Sequence, residues 1–140
     1  MSFLLDTDTA SAFLRGEAGV FGRFMQHSGG LYISILSVAE LYAWVFVTDK
    51  PEKREGGLTA MLRDVNMLEV DGRIARRTGK IRAGLQRGGV KVPTIDLLIA
   101  CTALEYNYTV VTHNQKHFSL VPGLRLEDWL VDEAVKRGRN

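Results

Sequence analysis

With 140 residues, 46% of them hydrophobic and 24% charged, the chain has the composition of an ordinary globular domain with enough apolar side chain to bury a core. Scarce proline and the lack of low-complexity tracts exclude a mainly disordered chain, and apolar runs such as Leu97–Cys101 and Leu41–Val47 fall far short of the roughly 20 residues that cross a membrane. A net charge of +2 does not by itself announce a nucleic-acid partner.

In chain order, Ser2–Leu5 reads as a short buried strand that empties into Asp6-Thr7-Asp8-Thr9. Thr9–Arg15 carries Ala10, Phe13 and Leu14 at helical spacing, and Ala18–His27 repeats the pattern with Val20, Phe21, Phe24 and Met25. Gly29-Gly30 breaks the chain before a strand over Leu31–Leu36, and a helix runs from Ser37 through Val47. Thr48–Gly57, with Pro51, is a polar connection leading into a helix over Leu58–Val65, and Met67–Val70 is a brief strand. Asp71–Arg87 is a basic helix with an Ile74, Thr78, Ile81, Leu85 stripe, closed by Gly88-Gly89. Thr94–Tyr106 is almost continuously apolar and predicts a buried helix. Tyr108–Thr112 follows as a strand, Pro122-Gly123 turns the chain, and Leu124–Leu126 is a last short strand. These elements make one domain over residues 1–132, with a charged tail over 133–140 whose end, Lys136–Asn140, should fray. The N-terminus has no basic stretch ahead of a long apolar run, so no signal peptide is expected. The single Cys101 has no disulfide partner in the chain, which fits a reducing, cytoplasmic compartment.

Strands alternating with helices imply an α/β fold, with a mainly parallel sheet covered on both faces. Such sheets place their sites beyond the carboxyl ends of the strands. Asp6 and Asp8 lie at one such end, and Asn114 lies just past another, at Thr112.

Four polar clusters stand out. A helix N-cap at Thr7, Asp8 or Thr9 accounts for Asp8 but leaves Asp6 behind the cap, which points Asp6 to another role. Ser37-Val38-Ala39-Glu40 has the form of a capping box, and that geometry sets Glu40 in a first helical turn above the end of the Leu31–Leu36 strand. Thr94 is a plausible N-cap for the buried helix. Asp96 then lies in its first turn, where the helix dipole favours an anion but desolvation is costly without a cation. Thr112, His113, Asn114 and His117 follow the last long strand; the two histidines match no common zinc spacing and no cysteine assists them. Asp6, Glu40 and Asp96 thus meet at one sheet edge. Carboxylates packed closely resist joint ionisation, and a hard divalent cation, Mg²⁺ or Mn²⁺, is the usual remedy for all-oxygen ligation. Between Gly72 and Ile95 there are seven basic residues, Arg73, Arg76, Arg77, Lys80, Arg82, Arg87 and Lys91, and no acidic one. They form either a solvated helix face or a phosphate-facing patch.

Two enzyme classes fit the opening motif. Leu4-Leu5-Asp6-Thr7-Asp8-Thr9 matches the D-x-D-x-T signature of haloacid-dehalogenase-like phosphohydrolases, in which the first Asp is a nucleophile. No later strand is followed by the paired acids that those enzymes also require. The fuller set, "FLLDTDTASAFL", "ISILSVAELYAW", "VPTIDLLIACTALEYNYTVVTHNQKHF" and "VPGLRLEDW", resembles the successive motifs of PIN-domain ribonucleases of the VapC toxin type, from about Phe3 to Trp129. The resemblance maps the family's first three acids to Asp6, Glu40 and Asp96. The position of a fourth acid common in the family holds His117, while Asn114 keeps the polar strand-end position and joins the catalytic candidates.

The resemblance implies a three-layer α/β/α fold with a five-stranded parallel sheet. It implies Mg²⁺- or Mn²⁺-dependent cleavage of single-stranded or looped RNA, a homodimer, and a cognate antitoxin that inserts a segment near the acidic cleft. In that reading Asp6, Glu40 and Asp96 hold the metal, Asp8, Thr94 and Asn114 orient its ligands, and the seven basic residues grip flanking phosphates. A rival from another class keeps the fold as a binding module without activity.

Overall fold

The structure, a computed structural model, describes residues 1–131, so the tail expected over 133–140 and its fraying end lie outside the described residues. Alternation along the first strand sets the layering. In β1 (Phe3–Leu5) every side chain is buried, with Phe3 and Leu5 facing one core and Leu4 the other. β1 is central in a five-stranded sheet of order β3-β2-β1-β4-β5, formed with β2 (Leu31–Ser34), β3 (Asn66–Leu68), β4 (Thr109–Val111) and β5 (Leu126–Glu127). Every pairing is parallel, as expected for strands joined by helical crossovers.

Four helices cover the Phe3 and Leu5 face: α1 (Thr7–Leu14), α2 (Ala18–Gln26), α3 (Ile35–Phe46) and α4 (Glu52–Arg63). The opposite face packs Leu4 and Val110 against α5 (Gly72–Arg87), α6 (Thr94–Tyr106) and α7 (Gln115–Phe118). This is the expected three-layer arrangement, and its two cores are rich in Leu, Ile and Val, each worth about 1.5–3 kcal/mol when fully buried. Gly30 is required where β2 enters beside β1: a Cβ there would sit 2.6 Å from the Met1 carbonyl oxygen, and the Gly30 carbonyl accepts from Phe3 N–H at 2.8 Å. Among the described residues no helix is long and apolar enough to cross a membrane.

Several boundaries differ from the sequence expectation. The expected strand over Leu31–Leu36 stops at Ser34, whose hydroxyl accepts from Leu36 N–H at 3.1 Å and caps α3. Ser37 therefore caps nothing. It lies buried in the first turn of α3, and Glu40 is in the second turn, so the expected capping box does not form. α4 starts at Glu52, well before Leu58, and carries Glu52 and Glu55 in its first turn, where the helix dipole favours them. The N-cap of α6 is Pro93, not Thr94. The last strand is Leu126–Glu127, and α7 occupies part of what reads as a loop.

Candidate active site at the carboxyl edge of the sheet

Parallel register brings the first acid to its partners. Leu5 of β1 is opposite Val111 of β4, so Asp6 and Thr112 leave the sheet side by side. Asp6 is itself the N-cap of α1: its Oδ1 accepts from Thr9 N–H at 2.8 Å. This corrects the expectation that Asp6 stands behind the cap. The strand passes into the helix through a single residue, and that residue is Asp6. Its Oδ2 accepts from the Thr112 hydroxyl, which in turn accepts from Asn114 N–H at 2.9 Å. The Thr9 hydroxyl donates to the Val111 carbonyl at 3.0 Å and ties the start of α1 to β4. Asp6 is only 4% exposed. Burial pushes its carboxyl up to about 6 from an ordinary 3.8, against the opposing pull of the Thr112 and Thr9 hydrogen bonds and with a smaller push from the Asp8 charge. A cap role explains one oxygen of Asp6; it does not explain a desolvated carboxylate.

The other acids come from separate helices. Glu40, exposed on α3, accepts from the Thr7 hydroxyl at 2.6 Å, which links α1 to α3. Asp96, half-buried in the first turn of α6, has its Oδ2 2.9 Å from His117 Nδ1. The same Nδ1 is 2.9 Å from Asn114 Nδ2. One ring nitrogen cannot donate to Asp96 and accept from Asn114 together. Turning the Asn114 amide over resolves the conflict, with Nδ1–H shared between two oxygens. The strong desolvation expected at Asp96 falls instead on Asp6, which is the deeper of the two.

Asp6, Thr7, Asp8, Glu40, Asp96 and Asn114 line one small cleft of about 100 Å³ together with Ile99. The convergence expected of Asp6, Glu40 and Asp96 is therefore present, and Asp8 and Asn114 join it. Among the described residues, no three Asp, Glu, His or Cys side chains are gathered tightly enough to enclose an ion as they stand. Two candidates lie elsewhere. Thr94 lines a different groove and accepts from Arg82 Nη2 at 3.1 Å, and His113 pairs with Asp128 at 2.9 Å. Sequence reading names Thr7 and Thr9 only as possible caps and Thr112 only within a polar cluster; it does not reach their part in positioning the acids. For Thr112 a signal existed, since pairing the two apolar strands in register sets it beside Asp6.

The pattern of the PIN domain matches residues 3–124 of the chain. The chain belongs to the PIN-domain family. It is 32% identical over 130 residues to the tRNA(fMet)-specific endonuclease VapC of Shigella flexneri, covering 92% of this chain and 98% of that protein. It is 28% identical over 131 residues to ribonuclease VapC2 of Haemophilus influenzae, covering 93% and 99%. The fold superposes on the VapBC structure bound to DNA from Salmonella typhimurium with a TM-score of 0.87 at 31% identity, over 92% of this chain and 98% of that one. Family membership decides against the phosphohydrolase signature as a guide to the chemistry of Asp6.

The basic residues of this PIN domain divide between two grooves that share no lining residue. Arg73, Arg76, Arg77, Lys80 and Arg87 line one with Ile81 and Glu105. Here Glu105 offsets part of the charge, 2.9 Å from Arg77 and 3.9 Å from Arg73, and Arg73 also pairs with Asp71 at 3.1 Å. Arg82 and Lys91 line the second, beside His117. The seven cations thus line two grooves that differ in charge balance.

Proposed function

We propose that the chain is a Mg²⁺- or Mn²⁺-dependent endoribonuclease, the toxin of a two-protein toxin–antitoxin pair acting in the cytoplasm as a homodimer and restrained by a cognate antitoxin. The observation that carries this reading is the acidic cleft, in which Asp6, Glu40 and Asp96 arrive from a strand end and two helices at one point. Full-length similarity to VapC nucleases and to VapBC structures supports the activity and the partner. The names of two relatives make a transfer RNA the first substrate to test.

The donor set fits a hard cation. Every polar side chain on the cleft offers oxygen, and Asp6 is a carboxylate that neighbouring positive charge would help to ionise. Mg²⁺ dehydrates reluctantly and is commonly held by one or two carboxylates through retained water, so a cleft without a closed cage suits it. Asp6, Glu40 and Asp96 would hold the ion, which supplies an acidified water and charge neutralisation at the scissile phosphate. The remaining work belongs to the protein. Thr112 and Thr9 N–H fix the two oxygens of Asp6, Thr7 restrains Glu40, and His117 with Asn114 sets the rotation of Asp96. One of these carboxylates would also orient the attacking water and take its proton.

The test is cleavage of a transfer RNA by wild-type and Asp96→Asn protein, each with Mg²⁺ and with EDTA. Wild-type activity should vanish in EDTA and return with Mg²⁺ or Mn²⁺, and the folded variant should be inactive. An Asp96→Asn protein that cleaves at the wild-type rate would overturn the assignment. Wild-type protein inert with every divalent ion, yet binding a partner protein, would return the chain to the binding-module reading.

A further inference from the structure

The second basic groove, apart from His117, takes no part in holding the metal or setting its ligands. It is about 550 Å³, within the roughly 300–1,000 Å³ of sites for small organic ligands, and it opens between the C-terminal half of α5 and the start of α6. Arg82, Gln86, Lys91, Val92, Pro93 and His117 are the side chains that give it character. Its first property is position. His117 forms part of its wall and also touches Asp96 and Asn114 at 2.9 Å, so an occupant of the groove ends against the acidic cleft. Its second is charge. No acidic residue lines it, in contrast to the outer groove with Glu105, and Arg82 is half-buried and held in place by the Thr94 hydroxyl. Its third is shape and chemistry. Pro93 and the His117 imidazole offer ring faces, the buried Val92 adds apolar lining, and the Gln86 amide both donates and accepts.

A bare phosphate would use the cations and leave the apolar wall and the amide idle. A nucleotide uses all of them. We infer that this groove receives the nucleotide flanking the scissile phosphate, with its base against Pro93 and His117, its phosphate on Arg82 and Lys91, and Gln86 at the base edge. This rests on the nuclease reading and makes the groove the place where base identity is sensed. An unstacked base is needed to enter it, so single-stranded or looped RNA is the substrate form that fits.

The test is titration of the wild-type protein with each of the four ribonucleoside 5′-monophosphates, and separately with inorganic phosphate, in EDTA, followed by amide NMR shifts. At least one nucleotide should shift Gln86, Lys91 and His117 and bind more tightly than phosphate. The double variant Gln86→Ala, Lys91→Ala should weaken that binding about tenfold, the effect of losing a base or phosphate contact. In RNA cleavage, Gln86→Ala should change the ratio of kcat/KM between substrates that differ at the flanking base. Shifts confined to the outer groove around Arg76 and Lys80 would overturn the inference, as would phosphate binding as well as every nucleotide, or an unchanged base preference in Gln86→Ala. Because the titration needs no metal and no cleavage, nucleotide shifts that persist while Asp96→Asn stays active would retain the groove and remove only the assignment of Asp96.

Discussion

Asp6→Asn should make the protein more stable at neutral pH, even though it removes the most deeply buried acid of the cleft. The folded carboxyl is pushed up to about 6 from 3.8, chiefly by burial. A folded state that holds the proton more tightly than the unfolded chain is favoured at low pH, and that advantage is lost as pH rises from about 4 through about 6. Above that window ionised Asp6 withholds about 3 kcal/mol from the native state, from 1.36 kcal/mol per tenfold change in proton affinity. Asparagine carries no charge to desolvate, and its Oδ1 still accepts from Thr9 N–H. Its amide NH₂ faces the Thr112 hydroxyl in place of Oδ2, which gives back about 1 kcal/mol for the altered hydrogen bond. The net gain expected near pH 7.5 is about 2 kcal/mol. The pH-dependent part is free of the hydrogen-bond offset: the stability gap between variant and wild type should widen by about 2 kcal/mol from about pH 4.5 to about pH 7.5. Urea unfolding of both proteins in EDTA at several pH values measures it. A gap that stays flat with pH refutes the claim that Asp6 is desolvated without compensation. Added Mg²⁺ should close the gap by stabilising wild type alone.

Two other outcomes follow from the same contacts. Thr112→Val keeps the volume but leaves Asp6 Oδ2 and Asn114 N–H without their shared hydroxyl, so it should cost about 1–3 kcal/mol in urea unfolding and lower nuclease activity with it. His117→Ala releases the Asp96 carboxylate and should weaken Mg²⁺ affinity by about 10–100-fold, read by calorimetric titration of the metal, with little change in unfolding midpoint.

The sheet and the three acids were legible because they rest on signals that survive without tertiary knowledge. β1, β2 and β4 are short apolar runs bounded by polar or glycine residues, and in an open parallel sheet the residues just after them are where sites form. The family resemblance then selected Asp6, Glu40 and Asp96 in order. What failed was local chemistry at the strand–helix junctions. Tyr32-Ile33-Ser34-Ile35-Leu36 has no helical periodicity to separate strand from helix, so the Ser-x-x-Glu pattern points to a cap at Ser37 and not at Ser34. The cap role of Asp6 is hidden for the same reason, since a junction of one residue makes the site residue and the cap a single side chain. The start of α4 is obscured because Glu52–Gly57 is polar and holds two glycines, and its packing against α3 and α1 is visible only in three dimensions. α7 is four residues long, below what periodicity detects. The division of the basic residues between two grooves depends on Glu105 and His117, which the α5 sequence does not contain.

The central place of β1 has a consequence for synthesis. The hydroxyl that binds Asp6 Oδ2 belongs to Thr112, 106 positions after it. β1 also has one of its two neighbours, β4, at residues 109–111. A nascent chain that has not yet released those residues from the ribosome has a half-built sheet and no acidic pocket, whatever its α1 to α5 segments have formed. Contacts so distant along the chain are slow to close. The acidic cleft is therefore completed only after Thr112 and Asn114 have emerged, long after Asp6.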